Sequence, residues 1–276
     1  MSGFQFADGL KRANHPMHPI LFEIFGFPFY GFGLMLALAF VLGLFWVMKR
    51  AEQAGMDSGK VLDTFVWVLI SAIVGARLCF IFFFPETFWV DPMGVLFSSG
   101  GLVWYGGMMG VVACILVLSR MWHFSALQFL DVLSPPAALG LALGRIGCFL
   151  AGCCYGAPTN LPFAVHFPLD HETHGTGVLP VQLFESALMF VGAFLLGHLP
   201  LASSSLEKTR GRATAGFLML YGLVRFAMEA MRGDRLVWLA DLNLSASQCI
   251  SLLGFVAGLM IWRMAPQKQA NPVNPV

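Results

Sequence analysis

Charged side chains are scarce in this chain. Asp, Glu, Lys and Arg make up 11% of its 276 residues, where a soluble domain carries about 25%. That shortage excludes an ordinary water-soluble globule, because 58% of the residues are hydrophobic, with 27 Phe and 7 Trp among them. An excess of one charge sign is missing too. The net charge is +1, so composition gives no general signal for nucleic acid or another polyanionic partner. No CxxC pair occurs among the six cysteines, Cys79, Cys114, Cys148, Cys153, Cys154 and Cys249, which argues for neither a disulfide framework nor a zinc site. Cys79, Cys114 and Cys249 fall in or beside apolar segments, where cysteine is usually a small hydrophobe. No solenoid repeat and no second domain is visible, so residues 1–276 read as a single transmembrane domain.

What is present is a series of long apolar runs. A membrane-spanning helix needs about 20 mostly apolar residues. Seven candidates lie near residues 29–48, 61–84, 101–119, 125–143, 181–199, 213–231 and 247–263. The expected fold is therefore an all-α polytopic membrane protein, with about seven transmembrane helices around a lipid-binding cavity. Asp131 and Pro135-Pro136 interrupt the fourth run, and prolines are tolerated in spans whose neighbours satisfy the released carbonyls. The first run ends at Lys49-Arg50 without a small-residue cleavage site, and is expected to stay as an anchor. Lys49, Arg50, Lys60, Arg120, Lys208, Arg210, Arg212, Arg263 and Lys268 fall on one side; Lys11, Arg12, Arg232 and Arg235 fall on the other. The richer side should be cytoplasmic. The N-terminus, with segment 1–19, then lies outside, as does the loop 157–180 carrying His166, Asp170, His171, Glu172 and His174. The tail 264–276 reads as disordered and cytoplasmic.

Three arginines, Arg77, Arg145 and Arg225, do not belong to cytoplasmic loops. Charge at mid-bilayer costs about 3 kcal/mol or considerably more, so such residues face a protein interior or a wet cavity. Snorkelling from a helix end is the simpler alternative for any one of them. In YGLVRFAMEAMRGD, Tyr221, Arg225, Glu229 and Arg232 follow at helical spacing and share one face. That stripe is either an internal salt bridge locking helices together or a guanidinium held for a phosphate or carboxylate, which the planar fork of arginine suits. Gln182 and Glu185 in LPVQLFES also share a face. They form either a hydrogen-bonded helix start or a polar wall of the same cavity.

Glycine clusters mark the remaining motifs. In SSGGLVWYGGMMG, Gly106, Gly107 and Gly110 permit close helix packing. Trp104 and Tyr105 beside them belong either to an interfacial aromatic belt or to a ligand site. In GRIGCFLAGCCYG, Gly140 and Gly144, and then Gly152 and Gly156, sit four apart. That spacing packs helices or lets backbone N–H groups reach an anion, and Arg145 adds charge there. The segment reads as a phosphate-sized pocket at the outer membrane face, with its cysteines as small lining residues. Cys148, Cys153 and Cys154 with His166 as metal ligands is the weaker reading, since adjacent cysteines rarely serve one ion.

In order along the chain, PFYGFGLMLAL, GARL at 75–78, GGLVWYGGMMG, GRIGCFLAGCCYG, PVQLFES, YGLVRFAMEAMRGD and LSASQ at 244–248 resemble the prolipoprotein diacylglyceryl transferase family. The resemblance covers nearly the whole chain, and the GRIG segment with its trailing Tyr-Gly is the most specific part. It implies a bacterial inner-membrane enzyme with its site at the periplasmic side. Such enzymes move the diacylglyceryl group of phosphatidylglycerol onto the lipobox cysteine in the signal peptide of a preprolipoprotein. A thioether forms and glycerol phosphate leaves. Arg145 and Arg225 match the family's essential arginines, with Tyr105 in the position of a catalytic group. Arg77, Gly156, Gln182, Glu185, Glu229 and Arg232 match positions expected to bind substrate. The resemblance implies partners in phosphatidylglycerol, preprolipoprotein and membrane lipids, no nucleic acid, and no cofactor or metal.

The departures are specific. Tyr105 stands where many members carry histidine, a proposed base, and tyrosine near pKa 10 is a poor base at neutral pH. Cys148 and Cys153 align with a usual asparagine and glutamate, and a histidine common before the glutamine motif is replaced near Leu179. The phosphate-binding half matches and the proton-handling half differs. Two alternatives follow: a paralogue acting on another thiol acceptor, or a non-catalytic lipid or anion transporter. Inverted repeats would favour the transporter, and none is visible.

Overall fold

The computed structural model describes residues 20–24, 27–97, 103–199, 210–233, 237–239 and 244–264. The expectations for segment 1–19 and for nearly all of the tail 264–276 lie outside the described residues. Helices dominate: α1 (Gly31–Gln53), α2 (Ser58–Phe83), the short α3 (Pro85–Val90) and α4 (Pro92–Phe97), α5 (Trp104–Met121), α6 (Ala126–Leu150), α7 (Val181–Gly197), α8 (Arg212–Ala230) and α9 (Ala246–Met264). Three two-stranded antiparallel hairpins join them: β1 (Ile20–Ile24) with β2 (Phe27–Tyr30), β3 (Val165–His166) with β4 (Gly177–Val178), and β5 (Val237–Leu239) with β6 (Leu244–Ser245). The seven apolar runs coincide with α1, α2, α5, α6, α7, α8 and α9. Helices α3 and α4 and the hairpins carry no long apolar run and were not legible.

Four helices, α1, α2, α6 and α9, are long and apolar enough to cross a membrane, and α7 and most of α5 are shorter apolar helices. Their outer faces carry large exposed hydrophobics such as Phe45, Leu78, Phe82 and Leu253, the pattern of a multi-pass protein whose periphery meets lipid.

Helix α6 is the hub, packing against α1, α7 and α8, while α9 packs on α8 and α5 on α2. It is expected to be the interrupted span, yet it runs unbroken through Pro135-Pro136 to Leu150 and carries Arg145 in its last two turns. Asp131 serves another helix. Its carboxylate accepts from Gly211 N at 2.5 Å, Thr214 N at 2.8 Å and Thr214 Oγ1 at 2.8 Å. It thereby caps the first turn of α8 from a neighbouring helix, satisfying N–H groups that a helix start leaves open. Gly211, at φ 89°, turns the chain into that first turn. Local caps start two other helices: Asp57 accepts from Gly59 N and Lys60 N at α2, and Ser125 accepts from Gln128 N at α6.

Two apolar cores flank the hub. One joins Val47 and Ala51 of α1, Val61, Phe65 and Val68 of α2, Ile115 of α5, and Phe129 and Val132 of α6. The other joins α6, α7 and α8 through Ala138, Ala142, Met189, Ala193, Val224 and Met228. Thus the α2–α5 pair is fastened to α1 and α6 near the start of α2. Within that pair the glycines do what their spacing predicts. A Cβ on Gly107 would sit 3.0 Å from the carbonyl oxygen of Ala72, and one on Gly110 would strike that of Ser71. Gly140 and Gly144 do not: nothing lies within 4 Å of a Cβ at either. They leave open space on α6 beside Arg145 rather than a tight helix contact. Arg50 also departs from expectation. It is 2% exposed, with Nη1 donating to Gly197 O at 2.8 Å, rather than solvated in a loop.

Candidate active site

Arg145, Glu185 and Arg225 come from the ends of α6, α7 and α8 and meet at one oxygen. Arg145 Nε lies 3.0 Å and Arg225 Nη1 3.4 Å from Glu185 Oε2. The stripe on α8 forms as its spacing predicts. Arg225 Nη2 lies 2.6 Å and Arg232 Nη1 3.2 Å from Glu229 Oε2. Glu185 and Glu229 are 2% and 4% exposed, so each buried carboxylate has the paired charge that burial demands. Three guanidinium groups face two carboxylates, and an excess positive charge remains.

The arginines differ in what they have left to offer. Each nitrogen of Arg225 has a partner, Nε donating to Ser247 Oγ at 2.9 Å and both terminal nitrogens engaging carboxylates. Arg145 spends its Nε on Glu185. Among the described residues nothing accepts from its Nη1 or Nη2. A fork pinned at its base and open at its tip is an anion receptor.

Glu229 and α9 are held by a feature that sequence reasoning passed over. In LSASQ, Ser245 N donates to Gln248 Oε1 at 3.1 Å, and Gln248 N donates to Ser245 Oγ at 3.2 Å. This is a capping box, and the S-x-x-Q spacing before an apolar run was the available signal. Ser245 Oγ also donates to Glu229 Oε1 at 3.0 Å, so the start of α9 fixes the second carboxylate.

On α7, Gln182 lies one turn before Glu185 and is 1% exposed. Its Nε2 donates to Cys153 O at 2.8 Å, and its Oε1 accepts no hydrogen bond among the described residues. Ser186 Oγ donates to Ala142 O at 2.9 Å, tying α7 to α6. Gly156 is a close-approach glycine. A Cβ there would meet Leu179 Cβ, Leu179 O and Val181 Cγ2, each at 2.6 Å. Its N–H donates to Leu179 O, and it bridges to Arg232.

The outer loop is anchored by His171, 6% exposed, whose Nε2 lies 2.9 Å from Gly152 O and whose ring stacks on Phe167. His166 faces Gly175 O within its hairpin and does not join the cysteines. The thiols of Cys148, Cys153 and Cys154 nonetheless gather within 4.8 Å of one another. Within the cluster, Cys153 Sγ donates to Cys148 O at 3.6 Å.

Residues 19–264 match the prolipoprotein diacylglyceryl transferase family over most of the chain. The chain belongs to this family. It is similar to the phosphatidylglycerol–prolipoprotein diacylglyceryl transferase of Clostridium tetani, 32% identical over 90% of this chain and 98% of that protein. The protein of the same name from Finegoldia magna is 33% identical over 89% of this chain and 94% of its own length. The structure brings six of the family-matched positions together: Arg145, Gln182, Glu185, Arg225, Glu229 and Arg232, with Gly156 adjoining. Arg77 stays on α2, half-buried, and no ion pair among the described residues joins it to Glu185 or Glu229. Tyr105 opens α5, and its side chain lies outside the described residues. Two cavities, of about 450 and 530 Å³, lie elsewhere, at Lys60, Trp122 and Arg210 and at Lys49, Arg50 and His198.

Proposed function

We propose that this chain transfers the diacylglyceryl group of phosphatidylglycerol to the lipobox cysteine thiol of preprolipoproteins. The thioether forms and glycerol phosphate leaves at the periplasmic face of the bacterial inner membrane. The N-terminus is periplasmic and the C-terminus cytoplasmic. One observation carries the reading: Arg145 is paired with Glu185 through Nε and keeps both Nη groups without an acceptor among the described residues, in a site of excess positive charge.

The chemistry follows from that geometry. The sulfur attacks a saturated carbon, and the leaving phosphodiester oxygen gains charge as its bond to carbon breaks. Preorganised donors aimed at developing charge in a dry site are a large source of rate enhancement. Arg145 receives the phosphate. Arg225, each of whose three nitrogens has a partner in the site, fixes Glu185 and Glu229 and so helps set the direction of the Arg145 fork. Arg232 adds positive charge from the loop side. The unused Oε1 of Gln182 is an acceptor suited to a hydroxyl of the glycerol headgroup.

Purified protein, labelled phosphatidylglycerol and a lipobox peptide test the proposal. Thioether product from the parent and none from Arg145→Ala is expected. Full turnover in Arg145→Ala would count against the mechanism. Depletion of the chain in cells separates the alternatives: unmodified preprolipoprotein accumulates if it is the transferase, whereas a transporter leaves lipoprotein processing intact.

A further inference from the structure

The thiol cluster has no place in that scheme, yet it adjoins the arginines. Cys148 lies three residues beyond Arg145, on the same face of α6. Cys153 is tied through its carbonyl to Gln182, one turn from Glu185. Adjacent cysteines on extended chain point to opposite sides. Here Cys154 adopts φ 60°, a left-handed conformation rare for a residue with a Cβ, after Gly152 at φ 73°. With that backbone the three sulfurs lie within 4.8 Å of one another. Metal–sulfur bonds of about 2.3 Å place tetrahedral ligands about 3.8 Å apart, so the sulfurs need only a small inward shift. Cys153 is exposed while Cys148 and Cys154 are half-buried. The cluster is therefore open on one side.

We propose that Cys148, Cys153 and Cys154 bind one thiophilic divalent cation, with Zn²⁺ as the fitting ion, and that its open fourth position takes the thiol of the acceptor peptide. Three protein ligands with one open position is the pattern of catalytic rather than structural zinc, and a thiol coordinated to such an ion is deprotonated outright. The inference rests on the transferase reading and extends it to the step that lacks a partner, because the usual histidine is Tyr105 here. It revises the expectation that the cysteines merely line the pocket.

The step balances without an oxidant or reductant. The peptide thiol binds as thiolate and its proton passes to water. The sulfur forms its bond to the diacylglyceryl carbon as the carbon–oxygen bond breaks, and that electron pair stays on the phosphate oxygen beside Arg145. The thioether product is neutral and a poor ligand, so it leaves. The cation keeps its charge throughout, and the negative charge of the thiolates faces Arg145 and Arg232.

Co²⁺ is the probe. The purified full chain should take up a single Co²⁺ with thiolate charge-transfer and tetrahedral visible bands. Lipobox peptide should shift the visible bands, and its Cys→Ser version should not. Cys153→Ser, at an exposed side chain, should melt with the parent yet lose the three-thiolate spectrum. Stripping the metal should cut transfer by about a hundredfold or more, the scale of losing a proton-handling group, and Zn²⁺ should restore it. Full turnover of stripped protein overturns the inference and leaves the transferase intact. So does full turnover with two of these thiols oxidised to a disulfide. Intact Co²⁺ bands with their peptide response, but no transfer in any metal state, uphold the site and overturn the assigned reaction.

Discussion

Arg145 and Arg225 approach the same oxygen, Glu185 Oε2, at 3.0 and 3.4 Å, from two different helices. A carboxylate so shared does not merely cancel charge. It fixes the angle between two guanidinium planes and turns one of them outward.

Replacing Glu185 with Gln should therefore hurt more than the loss of one ion pair. A neutral amide leaves both arginines buried with less compensation. Breaking such a pair costs about 3–5 kcal/mol of stability. A lower melting temperature is expected with a fall in turnover larger than the fall in folded protein. Near-parental turnover in folded Glu185→Gln would refute the orienting role.

Arg145→Lys tests the fork. Lysine keeps the charge but presents a point donor on a flexible stem, and it has no Nε to pin on Glu185. Removing a donor aimed at developing charge costs about 100- to 1,000-fold in kcat. Arg145→Lys should fall in that range with its melting temperature little changed. A lysine variant with parental kcat would show that charge alone suffices.

Gly156→Ala probes the loop. The added Cβ would press on Leu179 and Val181, and overpacking costs about 1–3 kcal/mol. The bridge between Gly156 and Arg232 transmits the shift to Glu229. Lower stability and lower turnover should appear together. Unchanged values for both would contradict the contact.

Asp131→Asn should separate stability from catalysis. The amide can accept fewer of the bonds from Gly211 and Thr214, and a buried group left unsatisfied costs about 1–3 kcal/mol. Asp131 lies at the start of α6, away from Arg145 near its end. The melting temperature should drop while turnover per folded molecule stays level. A selective loss of turnover would place Asp131 in the site.

Much of this architecture is written in local patterns. Apolar run length placed the four helices long enough to cross a membrane and the shorter apolar ones beside them, and helical spacing placed Arg225, Glu229 and Arg232 on one face. What escaped depends on partners far away in the chain. Asp131 and the two prolines read as an interruption, because its role lies in the first turn of another helix. Arg50 read only as a cytoplasmic-side charge because its partner, Gly197 O, belongs to α7. The gathering of three thiols needed a left-handed Cys154, which no residue type announces. Ser245 and Gln248 were within reach, since their capping-box spacing is local. The direction of the Arg145 fork was not, because it is set by which nitrogen Glu185 engages.

The two apolar cores bear on how bulky substrates arrive. Helices α6, α7 and α8 are joined by charge at the reaction centre, whereas α2 and α5 are clasped to each other and moored to the rest beside Val61 and Ile115. The apolar contacts that moor that pair share no residue with the ion pairs at Glu185 and Glu229, so a bulky substrate entering beside it would leave every arginine on its carboxylate.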